Sequence, residues 1–226
     1  MPADKLLTLK LILEFQDHIH DLRLSTFTTI EDSAAEALPS YFKSEMIADS
    51  KSHTVFAPMC LQGLVSLSDW AARSLSKHRG YLSLSGLTSL SERSAKMLSR
   101  HEGILHLDGL CELTDSMAKS LSRHKGFLGL GGLTGLSEAA ACALSTHQGP
   151  HVLNGLKSIS HPVAKALSRH GGSLHLYGLG SLSDDVAAEL ALLQGDLYFN
   201  SLIVLSAAAT KALKKHGRVF GPPALW

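Results

Sequence analysis

Ile104-Leu-His-Leu-Asp-Gly-Leu-Cys-Glu-Leu-Thr-Asp-Ser-Met-Ala-Lys-Ser-Leu-Ser-Arg-His-Lys-Gly126 carries two hydrophobic periods in one short run. Leu105 and Leu107 alternate with His106 and Asp108, the pattern of a half-buried strand. Leu110, Leu113, Met117, Ala118 and Leu121 then follow helical spacing. Thr114 suits a helix N-cap, and Asp115 places a negative charge in the first turn, where it complements the helix dipole. Arg123 and His124 close the helix, and Gly126 supplies a left-handed residue to end it. One strand and one helix therefore fit within 23 residues.

The unit recurs along the chain. Gly63, Gly86, Gly109, Gly132, Gly155 and Gly178 are each 23 residues apart. His78, His101, His124, His147, His170 and His216 keep the same period, with Leu193 filling the one gap. Caps recur as Ser68-Asp69, Ser91-Glu92, Ser137-Glu138, Ser160-His161-Pro162 and Ser183-Asp184. The expected organisation is an N-terminal cap over 1–21, a degenerate first repeat with an insertion over 22–58, six 23-residue repeats over 59–218, and a C-terminal strand stub over 219–226. Within the cap, Leu7, Leu9, Leu11 and Leu13 permit a strand, whereas Leu6, Leu9 and Leu13 fit a helix. The insertion, around Phe42 to Phe56, reads as a loop or an added helix.

No single unit can bury its own apolar face, so neighbours must stack into a continuous leucine core. Ala95, Ala118, Ala141, Ala164 and Ala187 allow the helices to approach closely. Strands stack at about 4.8 Å and helices at about 8–10 Å, so the array must curve with strands inside.

The string Leu-x-Leu-x-x-Leu-x-x-Leu-Thr-Asp-x-x-Ala-x-x-Leu, carried by Leu105, Leu107, Leu113, Thr114, Asp115 and Leu121, resembles leucine-rich repeats, nearest the cysteine-containing subtype. The resemblance implies an α/β fold: a right-handed curved solenoid of strand–helix repeats, parallel sheet inside and helices outside. It also implies protein recognition through the concave strand face. Where that family carries Asn or Cys, this chain has Leu64, Leu87, Leu110, Leu133, Leu156 and Leu179. The family's polar ladder is therefore expected to be missing, with the preceding glycine letting the backbone turn tightly instead.

Composition narrows the function. The chain has 226 residues, 45% hydrophobic, enough for one substantial core. A formal net charge of +1 gives no global excess to attract nucleic acid or an anionic membrane. Basic residues such as Lys77, Arg100, Arg123 and Arg169 gather at helix C-termini, and acidic ones such as Asp69, Asp115 and Asp184 at N-termini, as dipole compensation requires. The apolar run from Leu6 to Phe15 is too short and too polar to span a bilayer. Cys60, Cys111 and Cys142 form no paired spacing, which fits a reducing compartment, and the cytoplasm is the expected location.

The strand residues that face away from the core form two rows. One reads Cys60, Ser83, His106, Gly129, Val152, His175, Tyr198; the next reads Gln62, Ser85, Asp108, Gly131, Asn154, Tyr177, Asn200. His106, Asp108, Asn154, His175, Tyr177 and Tyr198 form the expected recognition patch, since Tyr and His join apolar area to a polar handle. The six periodic histidines read as a structural row that caps helix C-termini, about a helix diameter apart and too far to share a metal. His151 takes a core row otherwise held by leucine and reads as a buried neutral imidazole with a backbone partner. His106 and His175 are roughly 14 Å apart by strand spacing and cannot share a metal. His18 and His20 form only a lone pair of imidazoles. Gly129-Leu-Gly-Gly132 lacks the lysine and hydroxyl of a phosphate loop, so no cofactor is expected.

The expected function is a non-enzymatic scaffold for a protein or peptide partner, with nucleic acid and membrane not expected as partners. The alternative is a passive structural or oligomerising module of a larger protein. Incomplete caps would favour self-association through the solenoid ends.

Overall fold

In a computed structural model the described residues are 5–19, 22–42, 56–202 and 205–221. They form a curved α/β solenoid: short parallel strands on one side, helices on the other, each unit stacked on its chain neighbour. The strands are β3 (Met59–Cys60), β4 (Arg79–Ser83), β5 (Glu102–His106), β6 (Leu128–Gly129), β7 (His151–Val152), β8 (Leu174–His175), β9 (Leu197–Tyr198) and β10 (Val219–Phe220). They lie in one parallel sheet in chain order. Between them run α3 (Asp69–Leu75), α4 (Glu92–Leu98), α5 (Asp115–Leu121), α6 (Glu138–Leu144), α7 (His161–Leu167), α8 (Asp184–Leu190) and α9 (Ala207–His216). Residues 59–218 thus hold seven strand–helix pairs, one more than the six counted from the sequence. The glycine period stops at Gly178, because Ser201 stands at the next place, whereas the two outward strand rows already have seven members.

The sheet register is the repeat period. Leu82 pairs with Leu105, Leu105 with Leu128, Leu128 with His151 and His151 with Leu174. His151 therefore replaces a leucine without displacing its strand. Leu84, Leu107, Leu130 and Leu153 follow in the same order, each backbone N–H donating to the next strand, and all are fully buried. At about 1.5–3 kcal/mol per fully buried leucine, these rows are the main stabilising term.

The helices have only seven residues in α3 to α8, too few to be stable alone, so their ends need partners. Ser68, Ser91, Thr114, Ser137 and Ser206 each accept a hydrogen bond from a backbone N–H three residues on. Four of these serines also donate to the carboxylate that opens the preceding helix: Ser68 to Asp32, Ser91 to Asp69, Ser137 to Asp115 and Ser206 to Asp184. Where glutamate replaces that aspartate, at Glu92 and Glu138, the longer side chain makes no such bond. The caps are thus linked from unit to unit. Ser137→Ala removes both bonds and is expected to cost about 1–2 kcal/mol, measured by urea unfolding. The same change at Ser160, whose hydroxyl caps nothing, should be close to neutral.

The period extends into the N-terminal segment. β1 (Leu6–Leu7) pairs in parallel with β2 (Thr29–Ile30), 23 residues later. α1 (Leu9–Glu14) packs on α2 (Asp32–Tyr41), burying Leu7 and Ile12 while Leu13 stays half-exposed. Residues 5–14 are therefore half a unit; Leu9, Leu11 and Leu13 lie in the helix, so the helix reading holds and the strand is confined to Leu6–Leu7. The first full unit has a 3-10 turn, Leu24–Thr26, where its neighbours have a strand. Most of the insertion, His20 and the end of the chain after Gly221 lie outside the described residues.

The helices stop earlier than the sequence suggests. α5 ends at Leu121, five residues before Gly126. Gly126, at φ 131°, instead begins the next strand region, and Gly103 does the same within β5.

Candidate functional site

The outward strand rows form a continuous surface, and its side chains fall into two groups. Near the middle, His106 Nδ1 lies 2.7 Å from Asp108 Oδ2. Tyr81 and Phe127 flank the imidazole, with ring centroids at 5.2 and 5.1 Å. At the C-terminal end His175 stacks on Tyr198 at 4.4 Å, and Tyr198 stacks on Phe220 at 4.8 Å, near strand spacing. Tyr177 closes this group edge-on, its hydroxyl 3.2 Å from His175 Nδ1. Burial lowers the His175 pKa below its ordinary value and so favours the neutral imidazole.

Between the groups lies a shallow stretch floored by Gly129 and Gly131. A Cβ on Gly129 would stand 2.7 Å from His106 Nδ1, so glycine is what leaves room for the imidazole. Val152 and Asn154 form its far side by register. His106 and His175 are three strands apart, so the six expected patch residues make two clusters and not one.

Two of those residues also serve the backbone. Asp108 Oδ1 accepts from Gly131 N at 2.7 Å, and Asn154 Oδ1 accepts from Tyr177 N at 3.1 Å. Both bonds span 23 residues. These two bonds join neighbouring units at the strand ends, whereas the positions of the family's ladder hold the buried leucines Leu64, Leu87, Leu110, Leu133, Leu156 and Leu179. Burial alone would raise the Asp108 pKa. Bonds from His106, Gly131 and Ser85 outweigh it and hold the carboxyl below its usual range.

A third row escaped sequence reading. Tyr81 and Ile104 pair in register two residues before Ser83 and His106, and Phe127 continues the row. They were hidden because the preceding glycines read as helix ends. Alternation from Ser83 and His106 would have found them.

The periodic histidines differ most from expectation. His78, His101, His124, His147 and His170 lie past the helix ends and are 0–2% exposed. Their rings stack at 5.8–6.3 Å, closer than helix spacing, because they follow the strand side of the unit. His151 is wedged between His147 and His170, at 4.5 and 4.7 Å, and its Nε2 lies 3.0 Å from Leu144 O. His124 Nε2 meets Gly103 O at 3.1 Å and His78 Nε2 meets Tyr81 O at 3.2 Å, carbonyls of strands and not of helix ends. Only His216 lies in a last helical turn, partly exposed and 3.1 Å from Gly195 O. Desolvation lowers the pKa of each buried ring, to about 3 for His101 and about 4 for His147. The five buried rings of the row are therefore uncharged at pH 7 and add no charge to the helix ends. Among the described residues no group of three His, Cys, Asp or Glu is placed to hold a metal ion.

Among the described residues no helix is long and apolar enough to cross a membrane. No protein-family model matches the chain, and no curated protein matches it either.

Proposed function

We propose that the protein is a non-enzymatic scaffold that holds a protein or peptide partner on its strand face. The observation that carries this is the ring surface on that face. His175, Tyr198 and Phe220 are pre-stacked and partly open to solvent, with Tyr177 beside them. Rigid aromatic side chains lose little entropy on binding and supply most of the energy in interface hot spots. The likeness of the units to leucine-rich repeats supports the same reading, since that family commonly recognises proteins through its concave sheet. The hydroxyls near His106 support the non-enzymatic part. Ser83 donates to Ser85, and Ser85 to Asp108, so they serve the carboxylate and are not poised by the imidazole.

A passive structural module is the second reading. It is favoured by Asp108 and Asn154, whose side chains are already committed to the next strand. The test is affinity capture from the native source with wild-type protein and with Tyr177→Ala/Tyr198→Ala. A true partner is expected to bind the double variant about tenfold or more weakly. Equal binding by a variant with unchanged circular dichroism would remove the C-terminal cluster as the contact surface.

A further inference from the structure

Six buried imidazoles form one continuous column through five successive units: His78, His101, His124, His147, His151 and His170. Several ring nitrogens in it have no hydrogen-bond partner. His101 and His170 have none on either nitrogen, and His78, His124, His147 and His151 each lack one. Carbonyls of Ser145, Gly149 and His147 lie near His170 without reaching hydrogen-bond geometry. A purely structural row gains nothing from such atoms. Leucine fits the same position, since Leu193 occupies it at 3% exposure.

Among the described residues no carboxylate is hydrogen-bonded or ion-paired to a ring of the column, and the charges acting on its rings are those of other histidines. Within two residues of these histidines along the chain the charged groups are Lys77, Arg79, Arg100, Arg123, Lys125 and Arg169, all exposed cations, and Glu102. Glu102 is engaged by Arg79 at 3.4 Å. From α2 the column meets the Phe42 ring, against His78. The rings stacked within the column are otherwise histidines, and their mutual repulsion opposes charging of His101, His147 and His151, against which backbone carbonyls at His78, His124, His147, His151 and His170 pull only weakly compared with burial.

We propose that this column is an acid-triggered release built into the solenoid: neutral, it packs as core; protonated, it cannot stay buried, and the units it joins open together. The sign follows from linkage. A histidine whose pKa is lower in the folded than in the unfolded chain leaves the unfolded state with more bound protons. Stability is therefore fully present above the unfolded value of 6.5 and falls as pH drops below it, until the folded value is reached. Each such group divides the folded-to-unfolded ratio by about ten per pH unit in that window. His101 and His147, with folded values of about 3 and about 4, give about a hundredfold per pH unit between pH 6 and 4. His78, His124, His151 and His170 are shifted the same way and steepen the loss. Carboxylates contribute little above about pH 5, where they remain ionised in both states.

The test is urea unfolding of the full chain at several pH values between about 7.5 and 5, with the variant His101→Leu/His124→Leu, which copies Leu193. The expected result is a reversible loss of stability in the wild type, with at least about two protons taken up on unfolding near pH 5.5 and about one or more fewer in the variant. Stability that stays flat over this range, or equal proton uptake by both proteins, would overturn the proposal. Should the variant not fold, histidine ring NMR of the wild type decides. Rings that stay neutral until one concerted transition support the release, and independent titration near pH 6.5 in the folded state refutes it.

Discussion

Gly126→Ala is expected to destabilise the protein by about 3–5 kcal/mol, against at most about 0.5 kcal/mol for Gly135→Ala. Gly126 has φ 131°, a conformation that L side chains rarely adopt, and a Cβ there would stand 2.2 Å from Gly103 O. The obstructing atom belongs to the backbone of the neighbouring unit, so no rotamer change relieves the contact. Moving it means separating two units along the whole corner. Gly135 has nothing within 4 Å of its Cβ position and an ordinary φ, so the same chemical change meets open space. Urea midpoints of the two variants, measured side by side, test the pair. Equal midpoints would show that the units do not approach as closely as described.

Leu107→Ala should be nearly as damaging, at about 3–4 kcal/mol. Leu107 is fully buried, and its backbone N–H donates to Gly129 O, one rung of the ladder joining β5 to the next unit. The lost methyl groups leave a cavity bounded by backbone rungs on both sides, which cannot collapse without breaking them. Because each unit contacts only its neighbours, a weak central unit also uncouples the two halves of the array. Leu192→Ala is the matched control: Leu192 is 67% exposed and should be close to neutral. Calorimetry of Leu107→Ala is expected to show a broader or split transition, whereas the control keeps the wild-type shape.

How much of this was legible in the sequence depends on the distance over which each feature is decided. The leucine rows, the caps at Ser68, Ser91 and Ser137 and the parallel order of strands are set within one unit and its copy, so periodicity revealed them. The histidine column was misjudged because helix spacing was assumed for residues that follow the strands. Side-chain bonds from Asp108 to Gly131 and from Asn154 to Tyr177 depend on where a strand ends, which alternation does not fix. The ring row of Tyr81, Ile104 and Phe127 was lost to reading glycine as a helix stop, although the positive φ at Gly80 and Gly103 bends the entry to a strand. The half-unit at Leu6–Glu14 was obscured by leucines that satisfy two periods at once.

The serine–aspartate bonds between helix starts have one more consequence. Elsewhere the partners are 22 residues apart, yet Ser68 reaches Asp32 across 36. Fourteen additional residues have thus been spliced between one helix and the following strand without shifting the flanking elements from their places. That junction is a natural splice point, where foreign sequence such as an epitope, a fluorophore tag or a second domain could be carried while the rungs on either side stay in step.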